Sequence, residues 1–176
     1  MAVGIISIIC GILYTAGPFP LAYLGLGDVF VLLFFGPVAV LGTYYVQTLS
    51  FSSTALIAGF APGLLSTGML CINNLRDLQE DQRVGKKTLA VRWGSRFAKA
   101  QYVSAIVLAA AIPALVYQLT HSHGLIMWSS GILIFALPSF HVVCCSQDPR
   151  RLNKALANTG KLLILFGTTF SLGFSL

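Results

Sequence analysis

Apolar runs of membrane-spanning length alternate with short polar connections along this chain. An α-helix needs roughly 20 apolar residues to cross about 30 Å of hydrocarbon. Runs of about that length cover residues 1–17, 29–49, 54–72, 101–119, 124–145 and 156–176. The pattern therefore predicts an all-α protein: a polytopic membrane bundle of about six transmembrane helices, with residues 1–176 forming a single domain.

The composition excludes an ordinary soluble domain. Hydrophobic residues make up 56% of the chain and charged residues 9%, and the mean hydropathy is +0.83. The net charge of +6 does not indicate nucleic-acid binding, because such a protein would carry a basic stripe on a soluble surface. The partner that the composition predicts is the lipid bilayer.

All sixteen charged side chains lie on one side of the membrane if successive spans alternate in direction. Seven Lys/Arg and three acids follow the third span, and the connections near residues 50–53 and 120–123 carry no Asp, Glu, Lys or Arg. By the positive-inside rule the charged side faces the cytoplasm or an equivalent compartment such as the chloroplast stroma. We expect a chloroplast membrane if the source is a plant or alga.

Several positions predict local features of the spans. Gly36-Pro37 should kink the second span, Gly59 and Gly63 have the GxxxG spacing of close helix packing, and Asp28 is a plausible cap of the second helix. The four cysteines lack metal-ligand spacing, so we interpret them as small apolar residues.

Asn73, Asp77 and Asp81 are the first candidates for chemistry. Their spacing of i, i+4 and i+8 places them on one face if the third helix continues beyond the membrane surface. Mg²⁺ typically takes one or two carboxylates together with waters and phosphate oxygens. Asp77 and Asp81 could hold such an ion, with Asn73 as a neutral oxygen ligand.

Basic residues follow these acids closely. Lys86 and Arg92 lie just downstream, and Gly85 would let the chain turn so that the cations face the acids. Metal, lysine and arginine at a membrane surface are suited to a diphosphate whose remainder is hydrophobic. The alternative interpretation is a solvated loop whose charges only fix the topology.

The segment NNLRD with the following acid, together with GKKTLAVRWG, resembles the second aspartate-rich motif of the UbiA superfamily of intramembrane aromatic prenyltransferases. The upstream stretches LYTAGPFPLAYLGLGDVFV and FFGPVAVLGTYYVQT resemble the branch that prenylates 1,4-dihydroxy-2-naphthoate in menaquinone and phylloquinone biosynthesis. The similarity extends from Gly11 to the last span. Within that branch, the sequence of these stretches most resembles the versions of the enzyme that use a phytyl or similar chain.

The resemblance implies a nine-helix bundle with a central cavity and two aspartate-rich motifs that bind Mg²⁺ and a prenyl diphosphate. It implies that ionisation of the diphosphate gives an allylic cation, which the aromatic ring attacks. Matched by position, Asp77 and Asp81 become the metal-binding acids, and Lys86 joins them as a catalytic residue. The positions matching substrate-binding or cavity-lining residues are Asn73, Asn74, Arg92, Tyr14, Tyr23, Tyr45 and Gln47.

The first aspartate-rich motif of that family, NDxxDxxxD, does not occur in these residues. We therefore expect the chain to be the C-terminal portion of a longer protein or the product of a truncated gene model. Homogentisate or another aromatic acceptor is the alternative substrate. A membrane fragment without activity is the alternative of a different class.

Overall fold

A computed structural model of the protein describes residues 2–15 and 23–176. All regular secondary structure in these residues is helical, which confirms the all-α prediction. In chain order the helices are α1 (Ala2–Thr15), α2 (Gly27–Leu33), a π-helical turn (Phe34–Val38), α3 (Ala39–Thr48), α4 (Ser53–Arg76), α5 (Leu78–Arg83), α6 (Leu89–Thr120), a 3₁₀ segment (Gly124–Gly131), α7 (Ile132–Cys145) and α8 (Pro149–Ser175).

Five helical segments in the described residues have the length and apolar composition to cross a membrane. They are Gly27–Thr48, Ser53–Arg76, Leu89–Thr120, Gly124–Cys145 and Pro149–Ser175, and each corresponds to one predicted span. The first predicted span forms the shorter helix α1, whose apolar stretch is Gly4–Leu13. Residues 2–15 and 23–176 therefore contain five full-length spans, and the remaining predicted span, residues 1–17, lies partly outside the described residues.

Helix α4 lies at the centre of the bundle and packs against α6, α8 and the second span. Its buried face includes Leu65 and Ile72, which join one apolar core with residues of α6 and α8. The fully buried Tyr102 of α6 shares a hydrogen bond of 2.9 Å with Thr159 of α8. This bond gives the buried Tyr102 hydroxyl a partner, while the Thr159 hydroxyl also donates to the carbonyl oxygen of Ala155 at 2.8 Å.

The second span is kinked where the sequence predicted it. The π-helical turn contains Pro37, and Gly36 departs from helical geometry with φ −114° and ψ −111°. The kink packs against the GxxxG pair of α4: a Cβ on Gly36 would lie 2.7 Å from the carbonyl oxygen of Gly59 and 2.9 Å from the Cα of Gly63. The close-packing interpretation of this pair is confirmed.

Hydrogen bonds join the charged ends of the helices at one end of the bundle. Arg76 at the end of α4 donates to Asn153 near the start of α8, at 2.6 Å. Lys99 in α6 donates to the carbonyl oxygen of Cys144 at the end of α7, at 2.7 Å. The polar residues that the sequence distributes over three connections therefore meet in one region.

Candidate functional site

The polar end of α4 continues into α5 through a bend at Asp77. This residue has φ −95° and ψ 9°, outside helical geometry, and it separates the two helices. Main-chain hydrogen bonds nevertheless continue through the bend, from the N–H of Asp77 to Asn73 at 3.0 Å and from the N–H of Asp81 to Asp77 at 2.8 Å. The prediction that the helix extends beyond the span is confirmed, with a change of direction at Asp77.

Asp81 and Lys86 form an ion pair at the turn that follows α5. The Nζ atom of Lys86 lies 3.1 Å from Oδ1 and 3.3 Å from Oδ2 of Asp81. Gly85 makes the return possible with a φ of +73°, which residues with a Cβ rarely adopt. The expectation that Gly85 turns the cations toward the acids is confirmed for Lys86.

A polar cavity of about 520 Å³ lies beside this ion pair. It brings together the amides at the end of α4, the Asp81–Lys86 pair and the start of the second span. Its lining residues are Tyr23, Gly25, Gly27, Asp28, Leu70, Asn73, Asn74, Asp81, Val84, Lys86 and Thr88. Four of the sequence-predicted site residues, Asn73, Asn74, Asp81 and Lys86, therefore share one cavity, and Tyr23 lies beside them.

The amides of Asn73 and Asn74 both line the polar cavity but differ in their hydrogen bonds. The Oδ1 atom of Asn73 accepts a hydrogen bond from Arg76 at 2.7 Å. Asn74 is buried, with 4% of its surface exposed, and its side chain has no hydrogen-bond partner among the residues that the structure describes. Its amide lines the polar cavity, so Asn74 offers both a donor and an acceptor to a bound molecule.

Asp77 does not line the cavity. Both of its carboxylate oxygens accept hydrogen bonds from Arg76, at 2.7 Å from Nε and 2.6 Å from Nη2. Because of the backbone bend and this two-point pairing, the Asp77 carboxylate does not line the polar cavity that Asp81 lines. The three residues predicted to share one helical face thus separate into two that line the cavity, Asn73 and Asp81, and one that pairs with Arg76.

Arg92 also lies outside the cavity lining, where it joins two loops. Its Nη2 donates to the carbonyl oxygen of Leu24 at 2.7 Å, and its Nε donates to that of Lys87 at 3.1 Å. The N–H of Lys87 in turn donates to the carbonyl oxygen of Tyr23 at 2.9 Å. These contacts hold the loop before α2 against the loop before α6 and so shape one wall of the cavity.

Asp28 is a cavity residue that sequence reasoning interpreted as a helix cap. That interpretation is wrong: α2 begins at Gly27, and no side chain caps it. The carboxylate of Asp28 is buried and its Oδ1 accepts a hydrogen bond from Gln101 of α6 at 2.8 Å. The available signal was an acid directly before the apolar run 29–49, since ionisable residues at membrane depth are costly and most often functional.

A second, apolar cavity of about 1380 Å³ lies along the second span and α1. Tyr45 and Gln47, both predicted to line a cavity, belong to its wall, together with Phe30, Phe34 and other apolar residues. The side chain of Tyr14 lies outside the described part of the chain. Helix α2 borders both cavities, because Asp28 faces the polar one and Val31, three residues on, faces the apolar one.

The donor set of the polar cavity suits a hard cation that is shared with a phosphate. No cluster of three or more His, Cys, Asp or Glu side chains able to hold a metal occurs in residues 2–15 and 23–176. Mg²⁺ needs fewer protein ligands than this, since it usually keeps several waters and takes one or two carboxylates. The carboxylate of Asp81 and the amides of Asn73 and Asn74 are oxygen donors of the right kind.

The fold and site define a class: a helical membrane protein with a polar cavity at the charged end of an apolar bundle. A profile of the UbiA prenyltransferase family matches residues 1–166. The chain therefore belongs to the UbiA prenyltransferase family.

Several curated proteins are similar to this chain. The 1,4-dihydroxy-2-naphthoate octaprenyltransferase of Haemophilus influenzae is 41% identical over 97% of the chain and 55% of its own length. The protein of the same name from Escherichia coli is 34% identical over 100% of the chain and 57% of its own length. The 2-carboxy-1,4-naphthoquinone phytyltransferase of Synechocystis is 31% identical over 76% of the chain and 42% of its own length. The chain thus spans about half the length of the first two relatives.

Proposed function

We propose that the protein containing this chain transfers an isoprenoid chain from a prenyl diphosphate to 1,4-dihydroxy-2-naphthoate, in menaquinone or phylloquinone biosynthesis. The observation that carries the proposal is the polar cavity with the Asp81–Lys86 pair at the end of an apolar bundle, bordered by the same helix as a large apolar cavity. A diphosphate with a hydrocarbon tail has this division of polar and apolar parts. The names of the similar proteins support the naphthoate acceptor.

Lys86 and the Asn73 amide would bind the diphosphate oxygens, since each offers N–H donors to the polar cavity, and the Asn74 amide would bind a polar group of the second substrate. Arg92 supports this wall by its contacts with the carbonyl oxygens of Leu24 and Lys87. Bound Mg²⁺, held by Asp81 and, once it leaves Arg76, by Asp77, would neutralise charge on the departing diphosphate.

The apolar cavity would hold the isoprenoid chain. Its wall is made mostly of Phe, Val and Gly residues, with Tyr45 and Gln47 among the few polar groups. Such a wall favours contact with a hydrocarbon chain, and a bound chain would keep water from a reactive allylic cation. Tyr14, Tyr45 and Gln47 belong to the proposed substrate-binding set, with the two aromatic rings suited to stabilising a nearby cation.

The proposed protein is an integral membrane protein whose polar cavity opens on the charged side of the membrane. That side corresponds to the cytoplasm, or to the stroma if the source is a plant or alga, because it carries all the Lys and Arg residues. Both substrates can reach such a site: the prenyl diphosphate through the bilayer and the naphthoate from the aqueous compartment.

Prenyl transfer by the purified protein in detergent micelles or nanodiscs tests this proposal. Phytyl and octaprenyl diphosphate are supplied separately with 1,4-dihydroxy-2-naphthoate, homogentisate or 4-hydroxybenzoate, and products are measured by mass spectrometry. We expect product with the naphthoate in the presence of Mg²⁺. We also expect at least roughly 100-fold less product after chelation with EDTA, because the metal supplies much of the charge neutralisation.

Two results would contradict the proposal. Product with homogentisate in place of the naphthoate would identify a different aromatic acceptor. Absence of product with every acceptor, from a protein that is folded by circular dichroism, would favour the interpretation of an inactive membrane fragment.

A further inference from the structure

Asp28 is a buried carboxylate whose charge has no counter-ion in the described residues. Only 6% of its surface is exposed, and none of the ion pairs in this part of the chain includes it. Its described side-chain contacts all reach Oδ1, from Gln101 at 2.8 Å and, more weakly, from Cys71 Sγ at 4.0 Å. Asp28 Oδ2 accepts a hydrogen bond from no side chain among the described residues.

Asp81, the other carboxylate in the polar cavity, has a positively charged partner. Both oxygens of Asp81 lie within 3.3 Å of the Lys86 ammonium, so this charge is compensated within the protein. A buried carboxylate with only neutral partners is costly to keep, and a ligand that donates to it recovers part of that cost. Of the two carboxylates that line the polar cavity, Asp28 is therefore the one that a hydrogen-bond donor on a ligand would stabilise more.

Asp28 lies close to Asn74, the other buried polar side chain in this part of the cavity. Cys71, which contacts Asp28, precedes Asn74 by three residues on α4, so Cys71 and Asn74 lie on one face of the helix. Asp28 and the Asn74 amide both line the polar cavity, and both are buried. Together they offer a strong acceptor and an amide to one bound molecule.

The ligand chemistry that fits is a neutral hydroxyl group beside a further polar group. An anionic oxygen would be repelled by Asp28, whereas a phenolic O–H can donate to it. The diphosphate is anionic and is drawn to Lys86 instead. This difference separates the polar cavity into a part for the diphosphate and a part for a hydroxylated ring.

We propose that Asp28, held in place by Gln101, binds a ring hydroxyl of the aromatic acceptor and so selects hydroxylated rings. This inference rests on the proposed function, which supplies the acceptor. Asp28 then acts as a specificity-determining residue, and Gln101 acts as a positioning residue through it. Neither residue takes part in binding the diphosphate or its metal.

Equilibrium dialysis with the purified protein tests this proposal, because it measures ligand binding without prenyl transfer. Dissociation constants are determined for 1,4-dihydroxy-2-naphthoate and for 2-naphthoate, which lacks both hydroxyl groups. The wild-type protein should bind the dihydroxy compound at least about tenfold more tightly, as expected for a hydrogen bond to a charged group. Asp28→Asn, which keeps the shape but lacks the charge, should reduce this preference to about twofold or less.

Glu80→Gln is the matched control, because it removes one negative charge from an exposed position on α5 outside the cavity. It should keep the wild-type preference. Gln101→Leu should retain part of the preference, since Asp28 remains but loses its described amide donor. If Asp28→Asn does not fold, as judged by its thermal unfolding, Gln101→Leu carries the same test.

Two outcomes would overturn the inference. One is an unchanged preference for the dihydroxy compound in Asp28→Asn or, if that variant does not fold, in Gln101→Leu. The other is a tenfold or greater loss of Mn²⁺ binding in Asp28→Asn, measured by electron paramagnetic resonance, which would identify Asp28 as a metal ligand.

The wild-type prenyl-transfer assay separates this inference from the function on which it rests. A wild-type protein that transfers no prenyl group to the naphthoate removes the proposed function and this inference with it. A wild-type protein that is active, with Asp28→Asn showing unchanged selectivity for the hydroxyl groups, removes only the role of Asp28.

Discussion

The carbonyl oxygen of Lys87 occupies the position where a side chain on residue 25 would begin, because Gly25 lies directly against it. Gly25 also has a φ of +75° and lies beside the Arg92 guanidinium, whose Cζ would be 3.2 Å from a Cβ at this position. Two loops far apart in sequence are therefore in backbone contact, and the wall of the polar cavity depends on the absence of a side chain at residue 25.

Replacing Gly25 with Ala should destabilise the protein by about 1–3 kcal/mol, because the new Cβ meets main-chain atoms and the positive φ becomes strained. The free energy of unfolding in detergent micelles measures the effect. Gly167→Ala in α8 is the control, since a Cβ there has no neighbour within 4 Å. Equal stability of the two variants would show that the loop contact is not tight.

Gly63→Ala should also destabilise the protein, by about 1–3 kcal/mol, because it overpacks the contact between α4 and the kinked second span. A Cβ on Gly63 would overlap the carbonyl oxygen of Leu32 and lie 3.0 Å from the Cα of Gly36. Gly42→Ala in α3 is the matched control, with open space around its Cβ. The midpoint of thermal unfolding should fall for Gly63→Ala and not for Gly42→Ala.

Arg76→Lys should cost about 1–2 kcal/mol although the charge is kept, because an ammonium cannot reproduce the planar fork. The Arg76 guanidinium donates to both oxygens of Asp77, to Asn73 and to Asn153. Chemical unfolding in micelles checks this, with Arg83→Lys at an exposed position as the control. A lysine variant as stable as the wild type would mean that these bonds contribute little.

Asp81→Asn should lower the rate of prenyl transfer at least about 100-fold, because Asp81 lines the polar cavity and neutral amides bind Mg²⁺ weakly. Asp77→Asn should lower the rate less, since the Asp77 carboxylate is paired with Arg76 outside the cavity lining. Single-turnover kinetics over a range of Mg²⁺ concentrations compares the two. An equal loss in both variants would indicate that Arg76 releases Asp77 to the site during the reaction.

The positions of the helices could be predicted well from hydrophobicity alone. Five predicted spans correspond to described helices, because a run of about twenty apolar residues has few stable alternatives to a membrane helix. The kink at Gly36-Pro37 and the packing of Gly59 and Gly63 also followed from the sequence. These features depend on local geometry that residue type restricts directly.

The arrangement of the candidate site could be predicted only in part. The Gly85 turn and the return of Lys86 to the acids were foreseen from residue type. The separation of Asp77 from Asp81 was not, because it depends on a bend and on Arg76, which reaches Asn153 from another helix. Asp28 was misinterpreted for the same reason, since its partner Gln101 is 73 residues away.

Taken alone, the sequence determined that the chain is a bundle of apolar helices of membrane-spanning length, since a run of about twenty apolar residues has few other stable arrangements. It also predicted, from residue type and spacing, which residues could bind a diphosphate. Only the tertiary structure decided which of these face a common cavity. That choice depends on hydrogen bonds and backbone contacts between distant segments, which no local pattern records.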